Sequence, residues 1–98
     1  MDENRIKVAL IGLGHLGKIH LKCMKESELI DLVGVWDIDK ELQQKISDDE
    51  KIEYFSKVDH LLEQVHAVII VSPTSTHAAW AQKCLEFNRH FFVEKPVT

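Results

Sequence analysis

Val8-Ala9-Leu10-Ile11-Gly12-Leu13-Gly14-His15-Leu16-Gly17 is an apolar run broken by three glycines in the spacing G-x-G-x-x-G, with helical periodicity following at once. A strand leaving through such a loop into a helix is the context that gives the spacing meaning. Gly12 permits the sharp turn out of the strand, Gly14 lacks a side chain that would hold a pyrophosphate off the backbone, and Gly17 lets the helix pack close to the sheet. The first amides of that helix, reinforced by its dipole, offer hydrogen bonds and partial positive charge to an anion. A dinucleotide meets that description, held mainly by backbone.

Outward from the loop, residues 5–11 form the first strand, whose apolar end suits a central parallel strand covered on both faces. The spacing predicts a helix over 15–25, with Leu16, Ile19, Cys23 and Met24 inward and Lys18, Lys22 and Lys25 toward solvent. Residues 29–36 read as the second strand, ending in Asp37. Asp37 stands about twenty residues beyond Gly17, the interval at which a carboxylate meets the adenosine ribose. A carboxylate accepts two hydrogen bonds from a vicinal diol, whereas a 2′-phosphate there would meet like charge. NAD is therefore favoured over NADP, a preference tempered by the nearby cation of Lys40. A simple helix cap is the competing role for Asp37, but Asp39 is better placed to cap the helix that begins at Lys40.

Residues 47–50 read as a polar loop and 51–55 as a short third strand at an edge. A turn of helix follows over 58–64 with Leu61, Leu62 and Val65 inward. The fourth strand, 67–71, stops at Ser72-Pro73-Thr74, where proline ends the ladder on the same side of the sheet as the glycine loop. Ser75 or Thr76 caps the next helix, with Ala78, Ala81, Cys84 and Leu85 facing the sheet and Asn88 ending it in the left-handed conformation. Residues 90–93 are the fifth strand, followed by Glu94-Lys95-Pro96. The alternation predicts an α/β fold, a doubly wound parallel sheet ordered 3-2-1-4-5.

With 98 residues the chain has room for one small domain, here a dinucleotide-binding domain over 1–98. Its length is short for that fold and suggests the amino-terminal part of a longer protein. A net charge of −4 without a basic block argues against nucleic acid as a partner. The short apolar run after Met1 is neither a secretory signal nor long enough to span a bilayer, so no membrane partner and a cytoplasmic location are expected. Cys23 and Cys84 read as buried free thiols, and neither His60 nor His66 has a partner at metal-ligand spacing.

The glycine loop with its Gly17-x-x-His20 continuation, the Ser72-Pro73-Thr74 turn, His77 at the head of the next helix and the terminal Glu94-Lys95-Pro96 together resemble the amino-terminal Rossmann domain of the Gfo/Idh/MocA family. Those are NAD(P)-dependent oxidoreductases, and the resemblance covers nearly the whole chain. It implies that Gly12, Gly14 and Gly17, with the backbone of Leu13, His15 and Leu16, bind the pyrophosphate, and that Asp37 binds the ribose. It implies that Ser72, Pro73 and Thr74 line the cofactor cleft, and that Lys95 lies at the nicotinamide end, where its ammonium polarises a substrate hydroxyl or carbonyl. Glu94 pairs with Lys95 or caps a neighbour; His77 either reaches the nicotinamide side or merely occupies a first helical turn; His20 reads as structural. The chain departs from the family at Phe87-Asn88-Arg89-His90, where Ala-Gly-Lys-His is common, and the second α/β domain that the resemblance implies, which supplies most of the substrate pocket, is expected to lie outside these 98 residues.

The expected function is the NAD(P)-binding domain of an oxidoreductase moving hydride between nicotinamide and a hydroxyl or carbonyl substrate, a sugar, polyol or related small molecule. Alone it would bind without turnover. A freestanding, non-catalytic dinucleotide-binding or sensing module is the alternative. The edge formed by Phe91, Phe92 and Val93 is expected to promote self-association into a homo-oligomer.

Overall fold

The computed structural model describes residues 5–94. In chain order they form β1 (Ile6–Ile11), α1 (His15–Glu26), β2 (Ile30–Trp36), α2 (Lys40–Glu50), α3 (Val58–Leu62), β3 (Ala67–Ile70), a 3-10 turn (Thr74–Thr76), α4 (His77–Glu86) and β4 (His90–Val93). All strand pairs are parallel and the sheet runs β2-β1-β3-β4.

The alternation of side chains along β1 builds two cores from one strand. Val8 and Leu10 join Leu21, Met24, Val35 and Ile46 on the face covered by α1 and α2. Ala9 and Ile11 join Leu61, Leu62, Val68, Ile70 and Cys84 on the face covered by α3 and α4. Burial on both faces is why β1 is apolar without interruption from Val8. The chain is thus doubly wound, as expected, and the strand ends that carry Gly12, Asp37 and Ser72 open on one side.

Four details differ from expectation. Residues 51–55 form no strand: Phe55 is buried in the α3/α4 core and its carbonyl accepts from the Gln43 side chain at 2.8 Å, so its backbone is spent on a side chain and not on a ladder. The 3-2-1-4-5 order is accordingly present without its third member. The polar tract 47–50 is the last turn of α2, held by buried Ile46 and Ser47 and by the Lys25–Glu50 ion pair at 2.9 Å, and Lys51 ends it at φ 56°. In α1 the buried stripe is Gly17, Leu21 and Met24, which leaves Ile19 and Cys23 exposed. In α4, Cys84 is buried with Trp80 and Phe87 packed against its core, while Ala78 and Leu85 face solvent. Asp39 caps α2 through Leu42 N–H at 3.1 Å, and Asn88 adopts φ 57°, both as expected.

Candidate functional site

A groove of about 1290 Å³ runs along the carboxyl ends of the strands, floored by the glycine loop and walled by the residues that follow β2 and β3. Gly12 turns out of β1 at φ +99°, and a β-carbon there would lie 2.6 Å from the Ser72 amide nitrogen. Two strand ends can approach this closely only because position 12 has no side chain. A β-carbon on Gly17 would collide with the carbonyl oxygen of Gly12, whereas one on Gly14 would meet nothing within 4 Å. The first two glycines named are therefore demanded by the protein's own packing. Gly14 instead leaves open room at the head of α1.

Lys18 N–H is bonded to Gly14 O at 2.9 Å, so the amides of His15, Leu16 and Gly17 precede the first intrahelical bond and remain donors at the helix start. Across the groove floor, Leu13 N–H donates to Asp37 Oδ2 at 2.7 Å and Asp39 N–H donates to Asp37 Oδ1 at 2.8 Å. Each carboxylate oxygen keeps a lone pair, so the group can still accept from a diol. Lys40 folds its ammonium back to the Asp37 carbonyl at 3.0 Å and to Gln43 Oε1 at 3.1 Å, over the Trp36 ring. Desolvation in that berth lowers the Lys40 pKa below its ordinary value, with Asp37 pulling the other way.

After β3, Thr76 Oγ1 donates to Pro73 O at 2.6 Å, which leaves Ser72 Oγ as the donor to Thr76 Oγ1 at 2.7 Å. His77 Nε2 donates to Ser72 O at 2.8 Å. The turn is thus self-tied. His20 Nε2 lies 3.9 Å from Glu94 Oε2, linking α1 to the residue after β4 when the histidine is protonated.

Of the residues singled out in the sequence, Gly12, Leu13, Gly14, His15, Leu16, Gly17, Asp37, Ser72, Pro73 and Glu94 line one groove. Thr74 is exposed outside its lining, and His77 spends its ring on Ser72 O instead of facing the groove. Lys95 lies outside the described residues. The sequence reading missed Ile19, Trp36, Ile38, Val71, Thr76 and Trp80, which also line it. Ile38 carried a usable signal: an apolar side chain between two aspartates in a turn, here 93% exposed at the groove mouth. Among the described residues no three His, Cys, Asp or Glu side chains gather as a metal site. No described helix is long and apolar enough to cross a membrane.

The donor set therefore fits a dinucleotide, with helix-start amides and the open space at Gly14 for a pyrophosphate and a half-free carboxylate for a ribose. The comparison with known proteins agrees: the family described as an oxidoreductase family with an NAD-binding Rossmann fold matches residues 6–98. The chain belongs to the Gfo/Idh/MocA family. Within it, the chain is 38% identical over 93 residues to UDP-N-acetylglucosamine 3-dehydrogenase of Acidithiobacillus ferrooxidans, covering 95% of this chain and 29% of that protein. It is 38% identical over 100 residues to scyllo-inositol 2-dehydrogenase (NAD(+)) of Bacillus subtilis, covering 98% of this chain and 29% of that protein. The solved structure of GenD2 from gentamicin A biosynthesis, in complex with NAD, superposes with a TM-score of 0.86 at 26% identity, covering 95% of this chain and 27% of that one. The chain thus spans under a third of the length of these relatives, and the Rossmann domain expected from its sequence is the part that matches.

Proposed function

We propose that this chain is the NAD-binding portion of a dehydrogenase that oxidises a hydroxyl of a sugar, a polyol or a sugar nucleotide. The observation that carries the reading is the 2.7 Å bond from Leu13 N–H to Asp37 Oδ2. It joins the phosphate-binding loop to the ribose-binding acid in one rigid floor, and it sets a negative charge where NADP would bring its 2′-phosphate. NAD supplies a hydride acceptor at the nicotinamide ring when bound. The protein's own part is to hold the phosphates on the amides of residues 15–17, accept the ribose hydroxyls at Asp37 and fix the groove walls through the tied Ser72 turn.

Glu94 lines the groove, and the next residue in sequence is Lys95, to which the family resemblance gives the polarising of the substrate oxygen. That role is part of the proposal. So is a cytoplasmic setting, which suits two free thiols, Cys23 and Cys84. Self-association through β4 belongs to it as well, because Phe92 and Val93 are exposed on a strand paired on one side among the described residues. Sedimentation showing one monomeric species at every concentration excludes that last element.

The test of the main reading is calorimetric titration with NAD and with NADP, repeated on Asp37→Ala. Hydrogen bonds to a charged group contribute about 1.5–3 kcal/mol, so NAD affinity should fall about ten- to hundredfold while NADP affinity, freed of the like charge, holds or rises. NAD affinity unchanged in Asp37→Ala excludes the ribose assignment.

A further inference from the structure

Gln43 is polar and yet fully buried, at 0% exposure. Burying an amide costs stability unless its hydrogen bonds are made, and here they are made to the turn before α2, to the first residue of α2 and to the segment that follows it. Oε1 accepts from the Asp37 backbone N–H at 3.1 Å and from Lys40 Nζ at 3.1 Å, while Nε2 donates to Phe55 O at 2.8 Å. Lys40 Nζ closes the ring by donating to the Asp37 carbonyl at 3.0 Å. The backbone of Asp37 is therefore clamped at its N–H and its carbonyl, and its carboxylate is fixed by the Leu13 and Asp39 amides. Phe55, the anchor of this arrangement, belongs to the core on the opposite face of the sheet.

We propose that Gln43 is the positioning residue that sets cofactor choice at Asp37: it fixes the acid to receive a diol, and it holds the Lys40 ammonium back from the place where a 2′-phosphate would need a cation. This rests on the reading that Asp37 faces the adenosine ribose. Two of the three Lys40 donors are consumed by neutral acceptors inside the turn, and the Trp36 ring lies 2.9 Å from the ammonium. A lysine so tied has a single donor left to offer an incoming phosphate. Freed from Gln43, the same side chain sits three residues from the acid on an exposed helix start, where it would favour NADP.

The experiment titrates the full chain and its Gln43→Met, Gln43→Glu, Lys40→Met and Asp37→Ala variants with NAD and with NADP, alongside amide hydrogen exchange at Leu13. Gln43→Met keeps length and loses every hydrogen bond; NAD affinity should fall about three- to tenfold and NADP hold or rise. Leu13 N–H should lose protection in that variant while Val35, inside the sheet, keeps its own. Gln43→Glu retains the acceptor that meets Asp37 and Lys40 but sets an oxygen against the Phe55 carbonyl and buries a negative charge that holds Lys40 more tightly, so even with lower stability its NADP affinity should not rise relative to NAD. Lys40→Met, which leaves Gln43 in place, should leave NADP affinity unchanged; a marked NADP loss there overturns the proposal even where Gln43→Met fails to fold. Equal weakening of both cofactors in Gln43→Met also overturns it, as does no change in either together with unchanged Leu13 exchange. An Asp37→Ala chain with undiminished NAD affinity overturns the ribose reading and this proposal with it. A loss in Asp37→Ala beside an unaffected Gln43→Met overturns this proposal alone.

Discussion

Gly17 approaches the carbonyl oxygen of Gly12 so closely that a β-carbon at position 17 would overlap it, and the obstacle is backbone that no rotamer change can move. Gly14, in the same loop, has φ −70° and open space where its β-carbon would stand. One motif therefore holds glycines of two kinds. Gly17→Ala should cost about 1–3 kcal/mol as overpacking. Gly14→Ala should cost no more than about 1 kcal/mol as a poorer helix cap, yet weaken NAD binding, because its methyl projects into the groove. Thermal denaturation with and without NAD separates the two, and a Gly17→Ala chain as stable as its parent refutes the packing argument.

Ser47 is 1% exposed within α2, and its hydroxyl finds no hydrogen-bond partner among the described residues. A buried donor left unmade costs about 1–3 kcal/mol, and alanine is in addition the better helix former. Ser47→Ala should raise stability by about 1–2 kcal/mol, read as a higher urea midpoint with an unchanged slope. A lower midpoint would mean that the hydroxyl is satisfied.

Legibility in the sequence followed the range of the forces involved. The glycine loop, the acid after β2, the Asp39 cap and the left-handed Asn88 are local devices, and each stands where its residue type and spacing put it. The phase of α1 was not legible, because Ile19 lines the groove while Leu21 and Met24 line the core. Apolar residues meant for a ligand and for the interior are the same letters, so the helical stripe is blurred. Residues 51–55 carry strand composition, but Phe55 is drawn into the core and its carbonyl to Gln43, a long-range competition no short window contains. Gln43 itself, a glutamine among charged helix residues, reads as surface and is instead the buried tie beneath the site.

Gly34 looks like a flaw in β2, yet a β-carbon there would stand 2.7 Å from Leu61 Cδ1 and 2.8 Å from Phe55 Cδ1. The register of β1 against β2 shifts just beside it, so that Val8 pairs with Leu32 but Ala9 with Gly34. The missing side chain makes room for Leu61 and Phe55, which cover β2 on that face of the sheet. Gly34→Ala should destabilise by about 1–3 kcal/mol. Gly34→Ala with Phe55→Leu should recover part of that loss, since the smaller side chain yields space. Additive losses in the double variant would show that Phe55 is not the obstacle.

Cys23 is exposed and Cys84 is buried at 0% exposure, so one thiol should react with a disulfide reagent at once and the other only on unfolding. Burial also raises the Cys84 pKa above its ordinary 9.0. The folded chain then keeps a proton that the unfolded chain gives up, and the state binding more protons loses ground as pH rises. Stability should therefore be fully present below pH 9.0 as far as this thiol is concerned, and decline as the pH climbs past that value. Cys84→Ala should lower stability at pH 7 by about 1 kcal/mol through the lost sulfur contacts and should reduce the alkaline decline. Urea denaturation at pH 7 and at alkaline pH, on parent and variant, measures both effects. An alkaline slope identical in the two chains would assign it to other groups, and rapid reaction of both thiols in the folded chain would show that the α4 face of the sheet opens.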